Sequence, residues 1–182
     1  MMKKYVFRTY NERFIDLYRL EKNKIKKILR NNFFIEHVGS TAIKNMKGKG
    51  IVDIIISVPK KALRAAKEKL IKAGYIHKIS GGDNERIFFE KDYFYKKKIR
   101  RVHVHLTFNN SSTWKKALLF RDYLRANFID AKKYENLKKK AVKLCKGEGK
   151  KYRKLKNSFI RRIISKAEKF YLKKQRPYLL RI

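Results

Sequence analysis

The sequence predicts an α/β protein of the α+β kind, with a mixed sheet of about four or five strands flanked by helices and followed by C-terminal helices. Three observations predict it. Two short apolar stretches of strand length, 33–38 and 51–58, are separated by a Gly-Ser turn and a basic connection. Residues 100–108 alternate strictly, with Val102, Val104 and Leu106 on one side and Arg101, His103, His105 and Thr107 on the other. Beyond residue 112 the apolar side chains recur at helical spacing. A length of 182 residues suits one domain, with the sheet core over about 1–108 and a helical part over about 112–174.

The elements follow in order. Thr9-Tyr10-Asn11-Glu12 has capping-box spacing and opens a helix to about residue 30, with Phe14, Leu17, Tyr18, Ile25, Ile28 and Leu29 on one stripe. Strand 33–38 ends at Gly39, a position for a tight turn that a Cβ would resist. Ser40 and Thr41 cap a short helix there, and the first N–H groups of such a helix favour an anion such as phosphate. In strand 51–58, Asp53, Ile55 and Ser57 share one face, and Val52, Ile54, Ile56 and Val58 share the other. Pro59 stops that strand and opens a helix over 60–73, closed by Gly74. A strand over 75–79, a turn over 80–84 and a return strand over 85–91 form a hairpin, and 92–99 reads as a basic, aromatic connection. A polar loop, 109–113, leads into a helix over 114–128 whose buried stripe is marked by Trp114, Ala117, Leu118, Leu124 and Phe128, with Arg121 in its middle. Asp130 caps a helix to about residue 146, Gly147-Glu148-Gly149 breaks it, and a last helix over 150–174 is followed by a tail from Pro177.

The balance of 51 Lys and Arg against 15 Asp and Glu gives a net charge of +36. Such a charge favours RNA or another polyanion as partner. The lysines are spread along the whole chain, so a compositional bias with Lys on solvated faces accounts for it equally well. Cys145 is the one cysteine, which excludes an internal disulfide. With no apolar signal-like start and no apolar run of membrane length, the expectation is a soluble, cytoplasmic protein without a membrane partner. The sequence has no Walker-type loop, zinc-finger spacing or Gly-x-Ser-x-Gly elbow.

Chemistry concentrates at a few positions. Asp53 lies within a run of Ile and Val, where an unpaired carboxylate is costly, so it calls for a metal ion, an arginine or backbone N–H groups. His103 and His105 are two apart and project from one strand face. With Asp53 on a neighbouring strand they suit one divalent metal, imidazole favouring Zn, Ni, Fe or Mn over Mg; ordinary hydrogen-bonded histidines are the plain alternative. Arg121 cannot lose its charge on an apolar face and needs a phosphate, or a carboxylate such as Glu36 or Asp53. Asp122 points elsewhere on that helix. Arg86 suits a phosphate or, more commonly, a hairpin ion pair. Cys145 reads as a core residue.

Four segments occur in order across most of the chain: Glu36-His37-Val38-Gly39-Ser40-Thr41-Ala42-Ile43, then His103-Val104-His105, then Trp114 with Phe120-Arg121-Asp122-Tyr123-Leu124-Arg125, then Tyr134 with Leu137-Lys138. Together they resemble the GrpB-like branch of the nucleotidyltransferase superfamily. The superfamily pattern, an apolar residue and Gly-Ser followed some ten residues on by Asp-x-Asp or Asp-x-Glu, is matched by Val38, Gly39, Ser40 and Asp53. The second carboxylate is replaced by Ile55. The resemblance implies a nucleotidyltransferase-like sheet and a nucleoside triphosphate at Gly39, Ser40, Thr41 and Arg121. It also implies a divalent metal, Mg or Mn with Zn as the other choice, at Asp53, His103 and His105, and in-line displacement at phosphorus with Asp53 and His105 as catalytic residues. Ile55 prevents the usual two-metal site. Two alternatives therefore stand beside the transferase: a non-catalytic RNA- or nucleotide-binding module on a degenerate fold, and a metal-dependent phosphate hydrolase using Asp53, His103 and His105.

Overall fold

The computed structural model describes residues 7–145 and 148–173, with the backbone alone at Tyr93 and Lys173. Its strands are β1 (Phe34–Val38), β2 (Val52–Val58), β3 (Ile76–His77), β4 (Ile87–Tyr95) and β5 (Lys98–Phe108). They form one five-stranded sheet in the order β1-β2-β5-β4-β3. The β2–β5 pairing is parallel, and its neighbours are antiparallel. The helices are α1 (Arg13–Leu29), α2 (Leu63–Lys72), α3 (Ser112–Ala126), α4 (Phe128–Leu144) and α5 (Gly149–Lys173). This is the expected mixed sheet with flanking and C-terminal helices.

The alternation of β2 and β5 divides the molecule into two layers. Val52, Ile54, Ile56, Val58, Val102, Val104 and Leu106 are fully or almost fully buried and pack with Phe14, Leu17, Ile25 and Leu29 of α1 and Ala66 and Leu70 of α2. The opposite face is only partly covered. Val38 and Ile55 pack there against Trp114 of α3. A second apolar cluster joins α3, α4 and α5 through Leu124, Tyr134, Phe159 and Ile163, and takes in Ile43 and Met46 after β1. Polar side chains of β2, β5 and β4 thus remain on the uncovered part of the sheet.

Several expected elements change in detail. The capping box at Thr9 does not form: Glu12 makes no side-chain cap, and Asn11 Oδ1 instead accepts from the Arg13 N–H at 2.9 Å. Helix α3 is capped by Ser111, whose hydroxyl accepts from the Trp114 N–H at 3.1 Å. Phe128 falls outside the α3 stripe, because it opens α4 and is 77% exposed. Asp130 is not the cap of α4; it lies in the first turn, buried, accepting from the Tyr123 hydroxyl at 2.8 Å and from Lys166 at 3.0 Å. Cys145 is buried, as a core residue should be. The tail from Pro177 and the break at Gly147 lie outside the described residues.

The largest difference is at 92–99, expected as a connection. There β4 and β5 run on as a ribbon to the pairs Phe94–Ile99 and Tyr95–Lys98. The two turn residues, Lys96 and Lys97, have φ of 46° and 61°. Two-residue hairpin turns that suit the strand twist need positive φ, ordinarily supplied by Asn or Gly. With lysine in both places the turn carries no recognisable sequence signal.

Candidate functional site

The register of three strands assembles the site. Parallel pairing of β2 with β5 sets Asp53 beside His103 and Ile55 beside His105. Antiparallel pairing of β5 with β4 sets Glu90 beside His103 and Phe88 beside His105. All six side chains share the less covered face. His103 Nδ1 is 3.1 Å from Asp53 Oδ1, and its Nε2 is 3.5 Å from Glu90 Oε1. His105 Nε2 is 3.7 Å from the same Asp53 oxygen. The Phe88 ring lies against both imidazoles, with centroids 4.9 and 5.1 Å away. Asp53, His103 and Glu90 keep 24, 19 and 25% of their side-chain surface, so solvent reaches the cluster.

Charge is distributed unequally across these groups. Burial pushes the Asp53 carboxyl up, but hydrogen bonds and charge from His103 and His105 outweigh it and hold the group well below the usual carboxylate range. Burial pushes His103 down, and the two carboxylates overcome it, raising the imidazole to about 9. His103 is therefore an imidazolium at neutral pH, with both ring nitrogens directed at carboxylates. Burial lowers His105, against the pull of Asp53, and leaves it neutral. Its Nδ1 is buried and has no hydrogen-bond partner.

The Gly-Ser turn closes directly on Asp53. Gly39 has φ of 72°, and a Cβ there would stand 2.3 Å from Asp53 Oδ2. Only glycine satisfies both demands. Next along, a Cβ on Gly48 would be 2.6 Å from Ser40 Oγ and 3.4 Å from Lys138 Nζ. A hydroxyl and an ammonium group thus both lie close to the bare backbone of Gly48. Lys138 is buried, donates to the Lys47 carbonyl at 2.5 Å, and is drawn down to about 7 by burial and by Lys156. Lys49 is drawn down to about 8 by the same two causes. Its Nζ lies 4.0 Å from the Tyr152 ring centroid, and Lys156 approaches the same ring at 4.8 Å. The field of Asp53 acts in the opposite direction on both Lys49 and Lys138.

Other expected site residues take different places. Ser40–Ala42 is a single 3-10 turn, too short to present the N-terminus of a helix to an anion. Thr41 is buried; its hydroxyl donates to the Ile51 carbonyl at 3.1 Å and lies 3.0 Å from His37 Nε2, which fastens the turn from beneath. Arg121, expected to meet a phosphate or a carboxylate such as Glu36 or Asp53, takes Glu36 and is held at the seam between α3 and β1. Its Nη1 donates to Glu36 Oε2 at 2.7 Å and to the His37 carbonyl at 3.0 Å. Its Nε and Nη2 donate to the two oxygens of Asp122 at 2.7 and 2.9 Å. Asp122, expected to point away, is therefore the bidentate partner of its own neighbour. Arg86 donates to the Gly81 carbonyl at 3.0 Å and pairs with Asp83 at 3.2 Å, which is the hairpin role.

Glu90, Lys49 and Lys138 join the site without being marked as site residues by the sequence. Glu90 becomes visible only through the β4–β5 register. Lys138 ends the Tyr134 motif, which was the available signal. Among the described residues no three His, Cys, Asp or Glu side chains are arranged to hold a metal ion. The members of this cluster are bonded to one another instead.

A five-stranded mixed sheet with a Gly-Ser turn resting on a strand carboxylate defines the class: a protein with a nucleotidyltransferase-like fold. The Cid1 poly(U) polymerase structure with Mg and 3'-dATP superposes with a TM-score of 0.51 at 14% identity, over 75% of this chain and 43% of that one, a likeness of fold alone. The family is more definite. The GrpB protein family profile matches residues 5–166, and the chain belongs to that family. The GrpB crystal structure from Enterococcus faecalis has a TM-score of 0.78 and 28% identity, covering 92% of this chain and 99% of that one. UPF0157 protein YqkA of Bacillus subtilis is 36% identical over 132 residues, 71% of this chain and 37% of its own length. The glutamate-rich protein GrpB of Alkalihalophilus pseudofirmus is 29% identical over 165 residues, 86% of this chain and 92% of its own. This chain thus spans little more than a third of YqkA and nearly all of the second relative. Among the described residues no helix is long and apolar enough to cross a membrane.

Proposed function

We propose that the floor formed by Gly39, Ser40 and Asp53 binds a nucleoside triphosphate, or another phosphate ligand, with a divalent cation, and transfers its nucleotidyl group to an acceptor. The observation that carries the reading is contiguity: the Gly39 backbone lies against the Asp53 carboxylate, and Ser40 Oγ and Lys138 Nζ both lie close to the bare backbone of Gly48. Lys138 and Lys49 offset phosphate charge from one side, and Asp53 remains ionised on the other. His105, kept neutral by burial and with Nε2 towards Asp53, is the base in this reading. The donor set fits Mg²⁺ or Mn²⁺ better than Zn²⁺. A hard cation carried by phosphates needs one or two protein carboxylates, not a three-donor cage. Bound so, the cation would neutralise phosphate charge at Asp53.

A second reading rests on Ile55. It is 1% exposed and packed with Val38 and Trp114, and Glu36 is committed to Arg121. No second carboxylate joins Asp53 from its own strand or from β1. This favours a non-catalytic nucleotide- or RNA-binding protein on the same framework.

Calorimetry with nucleoside triphosphates, with and without Mg²⁺, Mn²⁺ or Zn²⁺, followed by assay for released pyrophosphate, separates the two. Asp53→Asn is expected to retain the fold and lose the metal-dependent part of binding. Unchanged binding in the folded variant would remove Asp53 from the site. Binding without pyrophosphate release across a range of acceptors would select the second reading.

A further inference from the structure

The face that carries Asp53, His103 and Glu90 does not end at the site. Following the β4–β5 register outward, the next same-face pair is Asp92–Arg101, then Phe94–Ile99. Arg101 closes the first pair, donating to both Asp92 oxygens at 2.7 and 2.6 Å, and it also approaches Glu90 at 3.8 Å. The outer pair is uncovered: Phe94 is 74% exposed and Ile99 57%. Beyond it the turn presents Lys96, Lys97 and Lys98, all exposed. Lys96 makes an outlying contact with Asp16 at 3.6 Å. At 3.4 Å per residue the Phe94–Ile99 pair lies about 14 Å from His103 along one continuous strand face.

An aromatic ring laid open on a ribbon with three lysines at its tip has the two parts of a single-strand platform. Unstacked bases rest on the ring, and phosphates meet the ammonium groups. The ring is exposed although ring burial is normally a strong stabiliser. Tyr95, on the opposite face of the ribbon, joins the α1 layer, whereas among the described residues no helix covers the face that carries Phe94. Phe128 and Ile129 are as exposed, at the start of α4, but they do not share a sheet face with the site.

We propose that this ribbon, 92–101, is a binding arm for single-stranded nucleic acid, with Phe94 and Ile99 as the base platform and Lys97 and Lys98 as phosphate contacts. The strand then runs across the Asp92–Arg101 pair towards Asp53. The arm is independent of whether the Asp53 floor takes a nucleotide, and its test uses no nucleotide or metal.

Fluorescence anisotropy measures binding of labelled 12-nucleotide single strands of RNA and DNA, a duplex of the same length, inorganic polyphosphate, and vesicles containing anionic lipid. Phe94→Ala is expected to weaken single-strand binding by about 5-fold or more. Duplex and polyphosphate, which offer no unstacked base, should bind the variant as they bind the wild type. Lys97→Asn with Lys98→Ser should weaken single strands and polyphosphate together and lessen the salt dependence. The RNA and DNA arms show which sugar the platform accepts. Both variants keep exposed positions, and thermal melting checks their fold. The proposal is overturned if folded Phe94→Ala binds single strands like the wild type, if it loses polyphosphate equally, or if the wild type binds no single strand at low salt. Loss confined to vesicles would assign the arm to a membrane surface instead.

Discussion

Lys138 is buried with its ammonium on one carbonyl, and its pKa is drawn down to about 7 by burial and Lys156. Its ordinary value in the unfolded chain is 10.5. Between those values the unfolded chain holds a proton that the folded one lacks, so this residue makes stability rise with pH from about 7 to 10.5. A bound phosphate reverses the preference by stabilising the ammonium. Inorganic pyrophosphate should therefore bind with proton uptake near pH 8, and its affinity should fall as pH rises through that region. Calorimetry in two buffers of different ionisation enthalpy measures the uptake. Lys138→Met should lose most of it and weaken binding by about 10-fold, the scale of one charge-assisted hydrogen bond. What uptake remains belongs to Lys49, drawn down to about 8. Proton uptake unchanged in Lys138→Met would place the phosphate elsewhere.

At the scale of elements, Arg121 shows what periodicity conveys and what it conceals. The spacing of α3 placed a charge among apolar side chains and so required a carboxylate partner. Glu36, named from the sequence with Asp53 as the other choice, is one partner; Asp122 is the second, and it depends on how the arginine side chain folds back. The guanidinium clamps α3 to β1, so Arg121→Ala should lower unfolding free energy by about 2 kcal/mol in urea titration, with Glu36 half-exposed and able to rehydrate. Arg121→Lys should lose less, since a point charge replaces the fork, and should leave pyrophosphate affinity of the folded fraction unchanged. A loss of affinity at constant melting temperature would instead put Arg121 at the ligand. The faces of β2 and β5 and the stripe of α1 were legible because burial imposes a period of two or 3.6 on the residues themselves. Strand register has no such imprint, so Glu90 stayed hidden. The Lys96–Lys97 turn hid the ribbon for a related reason, because its positive φ values fall on residues that do not advertise them.

Across the whole molecule, 51 basic residues stand against 15 acidic ones, a net charge of +36. Polyanion affinity should fall steeply between low and moderate salt, by a log–log slope of about 0.7 for each single-strand phosphate neutralised. A flat dependence, measured by anisotropy across a salt series, would leave composition without a binding role. The sheet's single parallel pairing has a different consequence. The β1–β2 pairing and the β4–β5 ribbon each join segments close in sequence, whereas β2 meets β5 across 50 residues, from Asp53 to His103. Loop closure of that length is the slow part of building such a topology. The pairings on either side are local, but the carboxylate and its imidazole become neighbours only when β2 and β5 meet. A ligand that bridges Asp53 and the β5 histidines would therefore act as a latch across the sheet's longest-range strand pairing, holding together two halves whose own pairings are local.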